Sequence, residues 1–260
     1  MAGSHRKAAG AEIWPQGTTA AIRRSLNIYR RDRKRERWLD AWYGQFLSPG
    51  ALAFDIGSHA GDRAACFARL GARVVAVEPQ PAFARMLRML HRRDDNVHVE
   101  QVALGATAGS LTLNINSENP TVSTLSSDFI SAARGAVGWN TQTWSRSIET
   151  PVATFDMLIR KYGRPDFVKL DVEGWEHEAL KGLTQTLPVL SFEFTTIQKD
   201  VALRCIERMA ELGAVRFLAS LGESLAYDCP THRDAAAMAK WVEALPEAAN
   251  SGDIYAFAEH

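Results

Sequence analysis

Residues 51–104 alternate between two kinds of hydrophobic pattern, and this alternation limits the folds that the chain can adopt. Short runs of apolar, often β-branched residues predict strands, and segments with apolar residues three or four apart predict helices. In chain order, the predicted elements are a strand at 51–56, a helix at 62–70, a strand at 73–77, a helix at 81–92 and a strand at 97–104. Strands that alternate with helices form a parallel sheet covered on both faces. We therefore predict an α/β fold with a doubly wound, mostly parallel sheet.

The rest of the chain extends this pattern with one interruption. Further strands are predicted at 110–116, 167–172, 189–195, 215–219 and 254–258, and further helices at 155–162, 174–186 and 201–212. Residues 105–150 are rich in Ser, Thr and Asn, and we expect them to form an excursion that faces the substrate. No repeat or linker divides the chain, so we expect one domain at 48–260 behind a basic helical extension at 1–47.

Composition excludes several classes of protein. Hydrophobic residues make up 46% of the chain and charged residues 23%, which argues against disorder or low complexity. No apolar run approaches the roughly 18 residues that a membrane helix needs, and no apolar segment follows the basic N-terminus to make it a secretory signal. Cys66, Cys205 and Cys229 are too far apart to suggest a disulfide framework or a cysteine zinc site. We expect a cytoplasmic protein that does not bind membranes.

The charge is balanced overall but unevenly distributed. Lys plus Arg and Asp plus Glu number 30 each, which argues against nucleic acid as a partner. The first 50 residues nevertheless carry an excess of basic side chains, concentrated in a run at 30–37. That run is typical of a solvated helix face. It also allows docking to an acidic protein partner or a second subunit, and, as a third interpretation, contact with nucleic acid.

The loop after the first predicted strand has the composition of a ligand-binding turn. Gly57 and Gly61 let the backbone approach a ligand closely, and the helix that follows offers unpaired N–H groups to an anion. Their spacing matches neither the dinucleotide nor the P-loop pattern, which argues against NAD and ATP. Glu78 ends the second strand, where a carboxylate can accept hydrogen bonds from both ribose hydroxyls.

Charged residues interrupt the predicted strand at 167–172. Lys169, Asp171 and Glu173 alternate with apolar residues, so they share one side of the strand, and Glu193 similarly interrupts a later strand. A buried unpaired charge costs several kcal/mol, so these groups must form pairs, coordinate an ion or line a cleft. Asp171 lies at the carboxyl end, where such sheets bind ligands. One alternative is that Lys169 pairs with a carboxylate and only braces the strands.

These segments occur together in an order that resembles a known family. The sequence at 54–62, 75–79 and 168–176, followed by 180–182 and 192–193, is similar to the FkbM-type methyltransferases. Those enzymes depend on S-adenosylmethionine, have the class I Rossmann-like fold and often methylate hydroxyls of sugars or natural products. The resemblance implies a seven-stranded sheet whose last strand is antiparallel, with 254–258 as the candidate.

The resemblance also implies roles for individual residues. It places the methionine part of the cofactor against the first loop, the ribose against Glu78 and the adenine near residues 100–102. The implied cofactor residues are Asp55, Gly57, Ser58, His59, Gly61, Glu78, Pro79, Gln101, Val102 and Asp171. Asp171 and Glu173 would lie near the transferred methyl group and are the main candidates for the base that deprotonates the acceptor, with His59 as a weaker one.

The acceptor site is less defined by the sequence. Trp139 and Trp144 offer apolar platforms on which a sugar could stack, although they could equally pack the excursion onto the domain. Glu193 is a further candidate for contact with the substrate. Asp171, Glu173 and Glu193 also have the oxygen ligands that Mg²⁺ prefers, but carboxylates at strand ends are more often only hydrogen-bonded, and no metal is predicted.

The sequence favours an O-methyltransferase that uses S-adenosylmethionine and acts on a small hydroxylated or glycosylated substrate. Two other classes remain open. A nucleotide-dependent oxidoreductase would fit the sheet but not the glycine spacing. A non-catalytic module that binds a partner through its basic helix would fit if the motifs had lost their activity.

Overall fold

The computed structural model describes residues 18–30 and 32–259. Its strands are β1 (Leu52–Ile56), β2 (Arg73–Val77), β3 (Val97–Glu100), β4 (Ala103–Leu104), β5 (Gly109–Ile115), β6 (Arg146–Ala153), β7 (Phe167–Leu170), β8 (Val189–Thr195), β9 (Ala214–Leu221) and β10 (Ser251–Ala258). Its helices are α1 (Thr18–Tyr29), α2 (Arg33–Tyr43), α3 (Asp62–Arg69), α4 (Pro81–Leu90), α5 (Ser127–Gly135), α6 (Phe155–Tyr162), α7 (Glu176–Leu180), α8 (Lys199–Glu211) and α9 (Ala235–Ala244).

Seven strands form the main sheet, in the order β3-β2-β1-β7-β8-β10-β9. β10 runs antiparallel to both β8 and β9, whereas the other neighbouring pairs are parallel. The predicted α/β fold and the predicted antiparallel last strand are therefore confirmed. The chain changes direction across the sheet between β1 and β7, and the carboxyl ends of strands beside such a point open into a crevice.

The sheet is buried because helices cover both of its faces. Every residue of β1 is buried, as expected for a central parallel strand. One face packs against α6, α8 and α9 through side chains such as Phe155, Ile206 and Met238. The other face packs against α2, α3 and α4, where Tyr43 and Phe67 are fully buried. The two layers hold the ends of β1, β2 and β7 at a fixed spacing.

The helical extension contributes directly to the second of these layers. Asp32 caps α2 by accepting hydrogen bonds from the backbone N–H groups of Lys34 and Arg35. Just after α2, the ring of Phe46 stacks on Phe167 of β7, with centroids 4.8 Å apart. The longest described helix, α8, has 13 residues. Within the described residues, no helix is long and apolar enough to cross a membrane.

The excursion at 105–150 is more ordered than the sequence indicated. The strand predicted at 97–104 divides in two, because β3 pairs in the main sheet while β4 pairs with β6. β4, β6 and β5 form a second sheet of three strands, and the prediction missed β6. It also missed α5, whose first turn is capped by Ser126. Pairing between distant segments, rather than local pattern, creates this second sheet.

One helix is much shorter than predicted, and another was missed. The helix predicted at 174–186 is limited to the five residues of α7. A Cβ on Gly182 would lie 2.3 Å from the carbonyl oxygen of Gly105, so this position requires a glycine. The chain makes a close backbone contact here, and the helix does not continue for another turn. α9 was not predicted, although Asp234 accepts a hydrogen bond from the N–H of Ala237 and caps it. The alanine-rich sequence of α9 gives a weak amphipathic signal despite favourable helix propensity.

Candidate active site

A cleft lies over the carboxyl ends of β1, β2 and β7, where the sheet changes direction. One part of it is lined mainly by apolar residues and by Glu78; the lining residues include Ile56, Gly57, His59, Val77, Glu78, Pro79, Val102, Leu104, Leu113, Thr121, Asp171, Val172, Glu173 and Trp175. The cleft continues into a polar part, lined by residues including Tyr29, Asp55, Ser58, Asp62, Arg63, Lys169, Asp171, Glu173, Glu193 and Glu223. Most of the predicted site residues therefore face one continuous space.

The first loop makes close backbone contact with the end of β7. Gly57 has a φ of +84°, and a Cβ at this position would lie 1.8 Å from the carbonyl oxygen of Asp171. Asp55 does not reach into the cleft freely, because its Oδ2 accepts a hydrogen bond from the N–H of Ala64 in the first turn of α3. Ser58 donates its hydroxyl to the carbonyl oxygen of Asp55. Burial raises the pKa of Asp55 to about 6. These contacts fix the loop at the wall of the cleft.

Glu78 lies at the centre of the cleft wall and is only 2% exposed. Its Oε2 accepts a hydrogen bond from the N–H of His59 and its Oε1 accepts one from the N–H of Gln80, both at 2.8 Å. Burial raises the pKa of Glu78 to about 7. Each carboxylate oxygen has a second lone pair, so Glu78 can still accept hydrogen bonds from two hydroxyls of a ligand.

The apolar part of the cleft has side chains suited to contact a flat ring system. Val102, Leu104 and Leu113 line it, and Trp175 closes it by donating its indole N–H to the carbonyl oxygen of Leu104. The sequence pointed to Val102 but missed the other three. Gln101 points elsewhere, since its side chain accepts a hydrogen bond from Arg88. Leu104 and Leu113 belong to the second sheet, whose position depends on the missed strand β6.

Lys169 is buried between two carboxylates at the end of β7. Its Nζ lies 2.9 Å from Oδ2 of Asp171 and 2.9 Å from Oδ1 of Asp253. Burial opposes the charge of Lys169, but the two carboxylates outweigh it and raise its pKa. Burial likewise opposes the charge of Asp171, but Lys169 and Arg63 outweigh it and lower its pKa. Lys169 thus braces the strands and also keeps Asp171 ionised in the cleft. Asp253 was not among the predicted site residues.

Two further carboxylates lie beside Asp171. Glu173 adopts a φ of +55° and is 7% exposed, while Glu193 projects from β8 into the polar part of the cleft. One oxygen from each of Asp171, Glu173 and Glu193 lies within 4.8 Å of the others. Burial and then the charge of Asp171 raise the pKa of both glutamates well above the usual range. We call Asp171, Glu173 and Glu193 the carboxylate cluster.

His59 is held by α1 rather than free in the cleft. Its Nε2 lies 3.0 Å from Oγ of Ser25, and its ring packs against Phe83. Burial lowers the pKa of His59 to about 4, so it is neutral near pH 7 and a weak base.

α1 covers the first loop. Arg30, just after α1, donates to the carbonyl oxygen of Gly61, and Arg24 donates to the carbonyl oxygen of Glu118 in the excursion. Of the predicted cofactor residues, Gly61 therefore lies outside the lining of the cleft and contacts the end of α1.

Part of the basic run at 30–37 is internal. Arg35 pairs with Asp62 and with Glu223, while Arg33, Lys34 and Arg37 are exposed. Arg31 lies outside the described residues.

Neither predicted tryptophan platform lines the cleft. Trp139 donates its indole N–H to Oδ1 of Asn250, and Trp144 donates to the carbonyl oxygen of Val122. Both rings contact Phe129 of α5 edge-on. The structure therefore favours the interpretation in which both tryptophans pack the excursion onto the domain.

The fold and the cleft define the class of protein. The strand order, the antiparallel β10 and an acidic residue at the end of β2 are the features of a class I methyltransferase, a class that uses S-adenosylmethionine. The sequence matches the model of the methyltransferase FkbM domain over residues 55–222. The chain therefore belongs to the FkbM methyltransferase family. No curated protein sequence matches it.

Several solved structures are similar to the chain, each at low sequence identity and with a TM-score below 0.5. A TehB-like SAM-dependent methyltransferase from Corynebacterium glutamicum is 11% identical, with 94% of this chain and 98% of that chain covered and a TM-score of 0.46. An O-methyltransferase from Bacillus cereus in complex with SAH is 13% identical, with 94% and 91% covered and a TM-score of 0.43. Fibrillarin from Aeropyrum pernix with bound S-adenosyl-L-methionine is 13% identical, with 84% and 76% covered and a TM-score of 0.44. The family assignment rests on the sequence match, not on these similarities.

Proposed function

We propose that the protein is an O-methyltransferase that transfers a methyl group from S-adenosylmethionine to a hydroxyl of a sugar, a glycosylated compound or another hydroxylated natural product. The observation that carries this proposal is the continuity of the cleft. Its apolar part, with Glu78, leads directly into a polar part that contains the carboxylate cluster. A cofactor held in the first part would present its reactive end to the second.

The residues of the cleft fit S-adenosylmethionine. Glu78 offers two acceptor oxygens for the ribose hydroxyls, and Val102, Leu104 and Trp175 offer an apolar slot for the adenine. The first loop, with its close backbone approach at Gly57, would hold the methionine part. When bound, the cofactor supplies an electrophilic methyl group on a sulfonium.

The polar part of the cleft suits an acceptor with several hydroxyl groups. Carboxylates accept hydrogen bonds from hydroxyls, and Tyr29 and Thr121 can donate or accept them. As the new O–CH₃ bond forms, the acceptor hydroxyl must lose its proton. Asp171 is ionised and faces the cleft, so we assign it as the proton acceptor, with Glu173 beside it as the alternative. His59 is the weakest of the three candidates because its ring is held against α1, with Nε2 3.0 Å from Oγ of Ser25.

Titration calorimetry with S-adenosylhomocysteine, and with NAD as the comparison ligand, tests the cofactor assignment. We expect saturable micromolar binding of S-adenosylhomocysteine alone. Binding of NAD alone would favour the oxidoreductase alternative. A folded protein that binds neither ligand would favour a non-catalytic module, whose partner could dock on the exposed basic residues Arg33, Lys34 and Arg37.

Transfer of a labelled methyl group to a panel of acceptors tests the reaction. We expect turnover on sugars and glycosylated natural products and none on matched amines or thiols. Asp171→Asn should keep the affinity for S-adenosylhomocysteine within about twofold and reduce kcat at least about a hundredfold, the lower range for loss of a general base. Asp200→Asn, at an exposed position on α8, is the matched control and should retain full activity. Full turnover by Asp171→Asn would remove Asp171 as the base.

A further inference from the structure

We infer that a second cavity, separate from the cleft, is a binding site for a small aromatic carboxylate. The cavity has a volume of about 200 Å³ and lies where α1, α4 and the second sheet meet. Its walls include Ala21 of α1, Phe83 of α4, Ile115 of β5 and Ile148 of β6. We call this space the side cavity.

Gln80 separates the side cavity from the cleft. Among the described lining residues, it alone faces both spaces. Its side chain is 9% exposed, and its Nε2 donates a hydrogen bond of 3.1 Å to the carbonyl oxygen of Pro120. This bond ties the start of α4 to the turn at 120–122. A ligand in the side cavity would therefore lie behind Gln80, outside the space that we assign to S-adenosylmethionine and the acceptor.

The walls of the side cavity suit an aromatic ring. Pro81, Ala82 and Pro120 line it together with the four apolar residues named above, so most of the lining is apolar. Phe83 is 2% exposed, and its ring packs against His59 with centroids 4.6 Å apart, which fixes this wall. An apolar cavity of roughly 150 Å³ is large enough to bind benzene. A single ring with one substituent therefore fits the side cavity.

Arg146 supplies the side cavity with one positive charge. It is the only charged residue among the described lining residues, and it is exposed at the start of β6. It forms no hydrogen bond or ion pair with any described residue. Glu118 follows the lining residue Ser117, but its carboxylate lies 3.8 Å from Arg24 instead. The guanidinium of Arg146 is therefore available to an anionic group of a ligand.

A carboxylate on an aromatic ring matches both features. A guanidinium donates two parallel hydrogen bonds to one planar carboxylate, while the ring would cover the apolar walls. An anion without a ring would leave those walls in contact with water, and a cationic ring would be repelled by Arg146. A phosphate would bring a second negative charge that a single guanidinium does not balance. The side cavity therefore selects an aromatic acid with one negative charge, such as benzoate.

Saturation-transfer difference NMR of benzoate with the full chain tests the site. Spectra are recorded without and with saturating S-adenosylhomocysteine, which the proposed function places in the cleft. We expect saturable binding of benzoate in both cases, because the two spaces share only Gln80. Acetate and benzylamine are the comparison probes. Both should bind at least about tenfold more weakly, since acetate lacks the ring and benzylamine has the opposite charge.

Two variants test the two parts of the side cavity. Arg146→Gln should weaken the binding of benzoate at least about threefold, as for the loss of one partner of an ion pair near solvent. Ile148→Trp should abolish binding, because the larger side chain fills the space between the walls. Arg160→Gln, at an exposed position on α6, is the matched control and should bind benzoate normally.

Absence of saturable benzoate binding by the folded full chain would overturn the inference, whether the side cavity stays empty or another part of the chain fills it. Displacement of benzoate by S-adenosylhomocysteine would also overturn it, because benzoate would then lie in the cleft. Equal binding by Arg146→Gln, or equal binding of acetate, would overturn the assignment of an aromatic carboxylate. Benzoate binding is measured without turnover, so this proposal and the methyltransferase proposal fail separately.

Discussion

At the scale of single residues, Glu78 shows how a buried carboxyl group is kept available for a ligand. Two backbone N–H groups stabilise it without using all of its lone pairs. A Lys or Arg side chain in place of these N–H groups would bind both carboxylate oxygens of Glu78 and compete with a sugar for them. Glu78 is thus left able to accept hydrogen bonds from hydroxyl groups.

Replacing Glu78 should weaken cofactor binding. In Glu78→Ala we expect the affinity for S-adenosylhomocysteine to fall by at least about 1.5 kcal/mol, or roughly tenfold, since a hydrogen bond to a charged group contributes about this much. Calorimetric titration measures the change, and Glu149→Ala, at an exposed position on β6, is the control. Unchanged affinity would exclude the role proposed for Glu78 in binding ribose.

Gly57 should be the least replaceable glycine of the first loop. A Cβ would lie 1.8 Å from the carbonyl oxygen of Asp171, and the positive φ adds strain for any other residue. We expect Gly57→Ala to lower the free energy of unfolding by more than about 3 kcal/mol, which is a Tm drop of roughly 6–12 °C for a domain of this size. Gly109→Ala, where a Cβ meets nothing within 4 Å, should change the Tm little. Equal Tm values for the two variants would show that the loop can adjust.

Sequence reasoning found the site residues that stand in charged or glycine-rich runs and missed those defined only by contact. Asp171, Glu173 and Glu78 interrupt apolar strands or end them, which is a local signal. Asp253 and Trp175 give no comparable signal, because their roles come from neighbours far away in the sequence. Composition alone did not show whether Trp139 and Trp144 pack the excursion onto the domain or stack on a ligand.

At the scale of secondary structure, a network of charges ties α2 and α3 to the turn after β9. Arg35 and Arg63 each contact both Asp62 and Glu223, at 2.8–3.0 Å. Burial would raise the pKa of Glu223, but the charges of Arg63 and Arg35 outweigh it and hold the pKa at about 2. The folded protein therefore releases the proton of Glu223 more readily than the unfolded chain.

This shift gives the network a defined pH dependence. A carboxyl group whose pKa is lowered by folding stabilises the protein above its unfolded pKa, near 4.5, and this contribution disappears as the pH falls toward 2. We expect Glu223→Gln to lower the Tm at pH 7 and the difference from wild type to shrink below about pH 4.5. Unfolding followed by circular dichroism across this range is the measurement, with the exposed Glu207→Gln as control. A difference that stays constant with pH would contradict the assigned ion pairs.

Elements were predictable where local pattern decides them. The strands and helices of the main sheet have clear hydrophobic periods, and their positions were close to those observed. The second sheet was not predictable in this way, because β4 has two residues and exists only through its pairing with β6. The early end of α7 depends on a backbone contact at Gly182 that no local pattern encodes.

At the scale of the whole molecule, Lys169 links parts of the chain that are far apart in sequence. It lies on β7, and its partner Asp253 lies on β10, with β8 between the two strands. The ion pair is buried under the polar part of the cleft. The last strand to be added along the chain is therefore coupled electrostatically to the candidate active site.

Removing this link should destabilise the entire domain. In Lys169→Met, Asp171 and Asp253 lose their buried partner, and we expect a loss of about 3–5 kcal/mol at pH 7. Chemical denaturation measures it, with Lys181→Met at an exposed position as the control. The double variant with Asp253→Asn should recover part of the loss, since it removes one of the two unpaired charges. A loss below about 1 kcal/mol would show that the charges are well solvated.

The overall topology was predictable because it follows from the resemblance to a family with a known sheet. The long-range contacts were not, since the sequence shows which residues are charged but not which of them meet. Lys169 illustrates this limit: its need for a partner was foreseeable, but the identity of Asp253 was not.

The position of α1 has a consequence for the timing of catalysis. α1 and the residue that follows it contact the first loop at His59 and Gly61, and α1 contacts the excursion at Glu118. Tyr29 at the end of α1 also lines the polar part of the cleft, so α1 contributes to the wall against which a ligand would lie. Under the proposed function, we propose that the product leaves when α1 moves away from the first loop, so that the turnover number would report this movement instead of the chemical step.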